Sequence, residues 1–273
     1  HALAKEVFER WNLSHSIVDM TDLKAVKAAI KPETALIWVE SPSNPQLKVS
    51  DINTLSQLAH KNNALCVVDN TWCTPVLQQP LTFGADMVMY STTKYFGGHS
   101  DCLGGALVLG ERISKQFTRV IKSIQKLSGA VPAPFDCWLI NRGLKTMYLR
   151  LKQQANNAKQ LAAYLNQHPK ISAVHFPGLA NHPQHALARI QMPNGSGAML
   201  SVQLGGSQSD AMAVIGRLML FTAATSLGGV ESLIEHRKSV EGPSSFTPDD
   251  LLRVSVGIEH IDDLIDDWRQ ALA

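Results

Sequence analysis

The sequence predicts an α/β protein: a mostly parallel sheet with helices on both faces, followed by a smaller α/β C-terminal domain. Short apolar runs alternate with helical segments through the first half of the 273-residue chain. Continuous apolar runs are typical of strands covered on both faces, and strands separated by helices usually pair in parallel. The predicted strands of this sheet are residues 34–40, 64–69, 85–91 and 105–110.

Two helices are predicted in the first half. Residues 50–61 combine a possible N-cap, Ser50, with Ile52, Leu55 and Ala59 on one apolar face. Residues 1–11 form a second amphipathic pattern, which is interpreted as a helix and not as a signal peptide.

The pattern changes at Gly143, where apolar residues begin to recur at alternating steps of four and three. This spacing is the stripe of one long helix. We therefore predict two domains, residues 1–142 and residues 143–273, the second beginning with that helix. The stripe consists of Leu144, Tyr148, Leu151, Ala155, Ala158, Ala162 and Leu165. Further strands are predicted at 198–204 and 251–257, with helices near 208–218 and 260–272.

Composition excludes several classes of partner. The formal net charge of +2 is too small to indicate nucleic acid or an anionic membrane, and no apolar stretch is long enough for a membrane span. Four cysteines occur without a C-x-x-C pair, and Cys66 and Cys137 lie in apolar runs where a buried thiol is expected. Since nothing requires a disulfide, a cytoplasmic location is expected. No metal-binding residue is predicted.

Chemically useful side chains follow the predicted strands. Asn44 lies in the polar turn after the first strand, and Asp69 closes the second. Ser91, Thr93 and Lys94 come at the end of the third. In an open α/β sheet, ligands bind beyond the carboxyl ends of the parallel strands. These residues are therefore expected to meet at one edge.

This set of groups fits pyridoxal 5'-phosphate. The cofactor needs a lysine amine for its covalent attachment, here Lys94, and a carboxylate against its ring nitrogen, here Asp69. Ser91 and Thr93 can donate to the phosphate, and Asn44 can donate to the phenolate oxygen. Each residue alone has an ordinary structural explanation, such as a turn, a helix cap or a solvated charge. The prediction depends on their occurring together.

A competing interpretation comes from Tyr90 and Lys94, which form the Y-x-x-x-K pair of short-chain nicotinamide-dependent oxidoreductases. That pair works on a helix, where positions i and i+4 share a face. Here the segment has the pattern of a strand, and no G-x-G-x-x-G fingerprint is present.

Taken together, these segments resemble the Cys/Met-metabolism pyridoxal-phosphate enzymes, the group of cystathionine synthases and lyases, methionine γ-lyase and homoserine sulfhydrylases. The most specific match is the segment MYSTTKYFGGHSD around Lys94. The other matching segments are 38–45, 67–81, 142–150, 175–185, 225–236 and 251–267.

The resemblance implies an enzyme that eliminates or replaces a group at the β or γ carbon of sulfur-containing amino acids, as in transsulfuration. It assigns Lys94, Asp69, Ser91, Thr93 and Asn44 the roles given above. It also implies that Arg253 grips the substrate α-carboxylate and that Ser226 helps to place it. A small amino acid is the expected substrate, and a homotetramer of dimers with shared active sites is the expected assembly. A non-catalytic relative of the family is a third hypothesis.

Two departures from the family accompany the resemblance. Family members are longer at the N-terminus, so that part of the fold is expected to be absent, and phosphate donors are expected from residues before His1 and from a second subunit. Residues 236–250 replace a Met-Thr-His-containing stretch, and Thr225 stands where several members have glutamate. Both of these changes lie near the expected substrate.

Overall fold

The computed structural model describes residues 3–242 and 245–273. The elements of the first half are α1 (Leu23–Ala29), β1 (Leu36–Glu40), α2 (Ile52–Lys61), β2 (Leu65–Asp69), α3 (Thr74–Leu77), β3 (Met87–Ser91) and β4 (Gly105–Leu109). They are followed by α4 (Lys115–Leu127), α5 (Pro134–Leu144), α6 (Met147–Leu165), β5 (Ala173–His175), α7 (His185–Gln191), β6 (Met199–Gln203), α8 (Gln208–Arg217), β7 (Thr222–Ala223), β8 (Leu233–His236), α9 (Arg237–Glu241), β9 (Leu251–Ser255) and α10 (Ile261–Ala271).

Within the described residues, the strands form two sheets. The first has the order β1-β2-β3-β4, with β1, β2 and β3 parallel and β4 antiparallel to β3. The second has the order β5-β6-β9-β8-β7 and is antiparallel apart from the β7–β8 pair. The mostly parallel first sheet and the smaller α/β unit after it confirm the predicted fold class.

Helix α2 covers one face of the first sheet. Ile52, Leu55 and Ala59 are buried as predicted, and they pack in one cluster with Val39 and Val68. The N-cap is Asp51, whose side chain accepts from the Thr54 N–H, so the prediction of Ser50 was wrong by one residue. The buried Ser50 instead donates its N–H to Ser41 Oγ.

The other face of the first sheet is less covered than predicted. Strand β1 alternates between exposed and buried positions, and Leu36 and Trp38 each expose almost half of their surface. An apolar run therefore does not by itself show that both faces of a strand are covered.

The start of the chain and the predicted long helix also differ from expectation. Residues 3–11 form a π-helical turn (Leu3–Val7) and a 3-10 turn (Phe8–Trp11) without a buried side chain, while His1 and Ala2 lie outside the described residues. The long helix begins at Met147, because the chain turns after α5, and Tyr148 faces outward. Of the two cysteines predicted to be buried, Cys66 is buried and Cys137 is exposed.

The second sheet packs against α6, α8 and α10 around Trp268, Leu161 and Ile234. A further cluster joins side chains from both halves of the chain, among them Trp72, Tyr95, Leu151 and Met199. The predicted boundary after residue 142 falls inside α5, and it stays a prediction.

Asp86 is the main buried charge of the first sheet, at the end opposite to the polar strand ends. Its side chain is fully buried, and it accepts from the Cys66 N–H at 2.8 Å, from Arg112 Nε at 3.0 Å and lies 3.0 Å from His60 Nε2. These contacts connect β2, α2 and the segment after β4.

We expect Asp86→Ala to lower the free energy of unfolding by about 2 kcal/mol, because it leaves the buried Cys66 N–H without an acceptor and removes the carboxylate beside the partly buried His60 ring. The same substitution at Asp266, whose ion pair with Arg269 is exposed, should cost about 0.5 kcal/mol or less. Urea denaturation of both variants measures the difference, and equal losses would contradict the role given to Asp86.

Candidate active site

The carboxyl ends of β1, β2 and β3 lie side by side, as the sequence predicted. Glu40 is in register with Asp69, and Asp69 with Met89 of the third strand. The segments that follow these strands surround a cavity of about 280 Å³. Its lining residues are Glu40, Pro42, Asn44, Asp69, Thr71, Trp72, Ser91, Lys94, Thr225, Leu227, Arg237 and Arg253.

Lys94 enters this cavity from the turn after β3. Its Nζ lies 3.3 Å from Ser226 Oγ, to which it donates. Burial lowers the pKa of the Lys94 ammonium below its ordinary value, and the positive charge of Arg253 adds to the effect. A larger fraction of this amine is therefore neutral, which is the form that reacts with an aldehyde.

Asp69 faces the same cavity from the end of β2. Its Oδ1 accepts the Thr71 N–H at 3.0 Å, which fixes the carboxyl group in place. Burial raises the pKa of Asp69, against the effect of the Thr71 hydrogen bonds. A cationic partner in the cavity would offset that cost and favour the ionised carboxylate.

The predicted phosphate ligands are placed differently from one another. Ser91 lines the cavity, and its N–H donates to Thr71 Oγ1 at 2.9 Å. Thr93 is not among the lining residues of the described chain, and its Oγ1 accepts the Gly104 N–H at 3.0 Å. The part of Thr93 in phosphate binding stays a prediction.

Arg253 lies at the opposite wall of the cavity, on β9. It is almost fully buried and forms an ion pair with Glu235 at 2.7 Å. Its Nη2 also donates to the Thr225 carbonyl at 2.6 Å, and its Nη1 to Asn44 Oδ1 at 3.3 Å. The structure thus brings Asn44 and Arg253, which are 209 positions apart, to one site.

The turn that carries Lys94 is held by Arg150 of α6. Arg150 Nη2 donates to the carbonyls of Tyr95 and Gly143, each at 2.9 Å. Gly98 has a φ of 73°, and a Cβ there would overlap the Arg150 guanidinium. A side chain at Gly143 would likewise overlap the Gly97 carbonyl.

Tyr90 does not form a catalytic pair with Lys94. It lies buried within β3, where its hydroxyl accepts from Asn70 Nδ2 at 3.2 Å. The oxidoreductase interpretation required both residues on one helix face, and the strand geometry does not provide it.

Two charged residues of the cavity, Glu40 and Arg237, were not predicted from the sequence. Glu40 closes β1 as Asp69 closes β2, so the same strand-end argument applied to it. Burial of the Glu40 carboxyl among the cavity residues, and then the negative charge of Asp69, raise the pKa of Glu40 to about 7, although other atoms of the residue remain exposed. The strand-end argument did not apply to Arg237. This residue follows β8, which pairs antiparallel with β9, and the argument holds for parallel strands.

The cavity therefore holds a half-buried amine, a positioned carboxylate, a hydroxyl and an amide, with a guanidinium on the far wall. These are the groups that pyridoxal phosphate and an α-amino acid require, so the residues present fit the predicted cofactor.

Glu40 gives the site a pH dependence with a definite sign. A raised folded-state pKa means that the folded chain keeps a proton between pH 4.5 and about 7 that the unfolded chain releases. The stability contributed by the neutral carboxyl is complete below pH 4.5 and is lost as the pH rises through about 7. In the cofactor-free protein, Glu40→Gln should therefore gain stability relative to the parent across this range. Parallel denaturation profiles at all pH values would contradict this.

Comparison with known proteins agrees with this geometry. The family model described as Cys/Met metabolism PLP-dependent enzyme matches residues 1–273. Cystathionine gamma-synthase of Mycobacterium tuberculosis is 47% identical over 276 residues, covering 99% of this chain and 70% of that protein. Cystathionine beta-lyase of Coxiella burnetii is 44% identical, covering 95% of this chain and 68% of that protein. The crystal structure of metB from Corynebacterium glutamicum superposes with a TM-score of 0.94 at 43% identity, covering 99% and 71% of the two chains. The chain belongs to the Cys/Met-metabolism family of pyridoxal-phosphate-dependent enzymes.

Proposed function

We propose that the protein eliminates or replaces the group at the β or γ carbon of a sulfur-containing amino acid, with residues of one cavity in defined roles. The observation that carries the proposal is the placement of Lys94, Asp69 and Arg253 around that cavity. The family and the relatives with cystathionine and methionine activities support the reaction class.

Lys94 is proposed as the covalent attachment point of the cofactor and as the base for the substrate. Pyridoxal phosphate, when bound, supplies an aldehyde for the amine and an electron sink for charge at the substrate α-carbon. With the substrate amine bound to the cofactor in its place, Lys94 Nζ would be free to accept the α-proton of the substrate. The lowered pKa of Lys94 favours this role, since a base must be neutral to accept a proton.

The other residues position the two reactants. Asp69 is proposed to hold the ring nitrogen in its protonated form, Asn44 to contact the phenolate oxygen, and Ser91 and Thr93 to bind the phosphate. Arg253 is proposed to bind the substrate α-carboxylate. Ser226 Oγ accepts from Lys94 Nζ, and the Ser226 carbonyl accepts from Arg253 Nη2. Because Ser226 contacts both Lys94 and Arg253, it is proposed to help orient the substrate.

We also propose the division into a cofactor-binding domain, residues 1–142, and a second domain, residues 143–273. The separate apolar clusters around α2 and around α10 support this division.

The four cysteines have no disulfide in the structure, which supports a proposed cytoplasmic location. Among the described helices, none has the length and apolar character needed to cross a membrane.

A homotetramer of dimers with shared active sites is the proposed assembly. Helix α4 supports it, because its apolar face contacts nothing that buries it within the described residues. The exposed side chains of that face are Phe117, Val120, Ile124 and Leu127. An apolar stripe of this kind is typical of a surface that another chain covers.

Product analysis tests the proposed reaction. We expect the full-length protein to release or exchange the sulfur or acyl group of cystathionine, cysteine, methionine or O-acylhomoserine. Lys94→Ala should lose the cofactor's visible absorbance and at least ~10³-fold in turnover, and Lys94→Arg should not restore it because arginine stays protonated. A folded wild-type protein that binds the cofactor without turnover of any of these compounds would identify a non-catalytic relative.

Asp69→Asn tests whether the negative charge of Asp69 is needed, because the substitution changes the charge and not the size of the side chain. The amide keeps the size of the side chain but loses the charge, so cofactor should still bind while kcat falls by ~10²-fold or more. Unchanged kcat in a cofactor-loaded Asp69→Asn protein would show that another group serves the ring nitrogen.

A further inference from the structure

Arg237 places a second guanidinium on the cavity wall that holds Arg253. It is the first residue of α9, directly after β8, and it lines the cavity together with Arg253 and Thr225. Its side chain is 20% exposed, whereas that of Arg253 is 3% exposed. Of the two guanidinium groups, Arg237 therefore has the larger surface available to a ligand.

One buried carboxylate connects the two arginines. Glu235 Oε1 lies 2.7 Å from Arg253 Nη2 and 3.1 Å from Arg237 Nη1, and the Glu235 side chain is 4% exposed. Because both nitrogens contact the same oxygen, the two guanidinium groups must lie close together. A single substrate carboxylate, with its two oxygens, can contact both.

A second carboxylate fixes the orientation of Arg237. Arg237 Nε donates to Glu241 Oε1 at 2.7 Å. Glu241 Oε2 in turn accepts from the hydroxyls of Thr247, at 2.7 Å, and Ser245. Together with the Nη1 contact to Glu235, the Nε bond to Glu241 uses two of the five guanidinium N–H groups of Arg237, and the side chain is held without depending on a ligand.

Arg253 has already committed much of its hydrogen-bonding capacity. Its Nη2 donates to Glu235 and to the Thr225 carbonyl, and its Nη1 to Asn44. A substrate carboxylate that reaches Arg253 therefore meets a guanidinium with few remaining donors. Arg237 can supply the additional ones.

We propose that Arg237 is a second substrate-binding guanidinium, which contacts the α-carboxylate together with Arg253. The inference rests on the proposed function, because it takes the Arg253 wall as the α-carboxylate subsite. It assigns a binding role to the first residue of α9.

The test compares a ligand that has the carboxylate with one that lacks it. Alanine carries an α-carboxylate and no leaving group, and ethylamine is the same molecule without the carboxylate. Isothermal titration calorimetry of both with the full-length, cofactor-loaded protein gives two dissociation constants. The matched control is Lys238→Gln, which removes a positive charge from the next position, where Lys238 pairs with Asp249 outside the cavity.

We expect Arg237→Gln to weaken alanine binding by ~10-fold or more, as for loss of a hydrogen bond to a charged group, and to leave ethylamine binding within about twofold. Lys238→Gln should leave both constants unchanged. Arg237→Lys keeps the charge but not the planar fork, so it should bind alanine with intermediate affinity. It also serves as the test variant if the glutamine variant does not fold.

Two outcomes would overturn the inference. Alanine could bind Arg237→Gln as tightly as it binds Lys238→Gln. Alanine and ethylamine could be weakened equally, which indicates general damage. Failure of the proposed function has a different signature, a wild-type protein that binds the cofactor but turns over none of the sulfur-containing amino acids, and calorimetry of that cofactor-loaded protein still measures the carboxylate preference.

Discussion

The hydrogen bonds from Arg150 to the Tyr95 and Gly143 carbonyls are the constraint on which the rest of the site depends. The turn that carries Lys94 follows β3. The strand fixes where this turn begins but not the direction in which the turn continues. Arg150 joins that turn to both α5 and α6. Gly98 and Gly143 lack the side chains that would prevent this close approach. The position of Lys94 Nζ is therefore set by the second half of the chain as much as by the strand that precedes it.

The same dependence on distant segments holds for the cavity as a whole. The parallel strands supply the wall with Asp69 and Lys94, the proposed cofactor residues, while Arg253 comes from the second sheet and Ser226 from the segment between its strands β7 and β8. The cluster that contains Trp72, Tyr95 and Leu151 joins these two parts. Packing between the halves thus determines the distance between Lys94, the proposed covalent anchor, and Arg253, the proposed site of the substrate carboxylate. Substitutions in this cluster can change activity without touching either reactant.

The sequence predicted those features that depend on neighbouring residues. Asp69 and Lys94 could be found because parallel strands bring their carboxyl ends to one edge, and this holds whatever surrounds the sheet. Ser50 was mistaken for the cap because Asp51 is an equally good acceptor, and only the backbone geometry distinguishes them. Arg237 was missed because its position depends on Glu235 and Glu241, which the fold of the second sheet brings to it. The exposure of Trp38 could not be predicted either, since it depends on what covers the far face of the sheet.

Identification of the lysine that carries the cofactor tests the central claim most directly. Borohydride reduction of the full-length wild-type protein makes the attachment permanent, and peptide mapping by mass spectrometry then locates the pyridoxyl group. We expect the modified peptide to contain Lys94 and the exposed Lys115 and Lys122 to remain unmodified. A pyridoxyl group on any lysine other than Lys94 would contradict the assignment of this cavity as the active site.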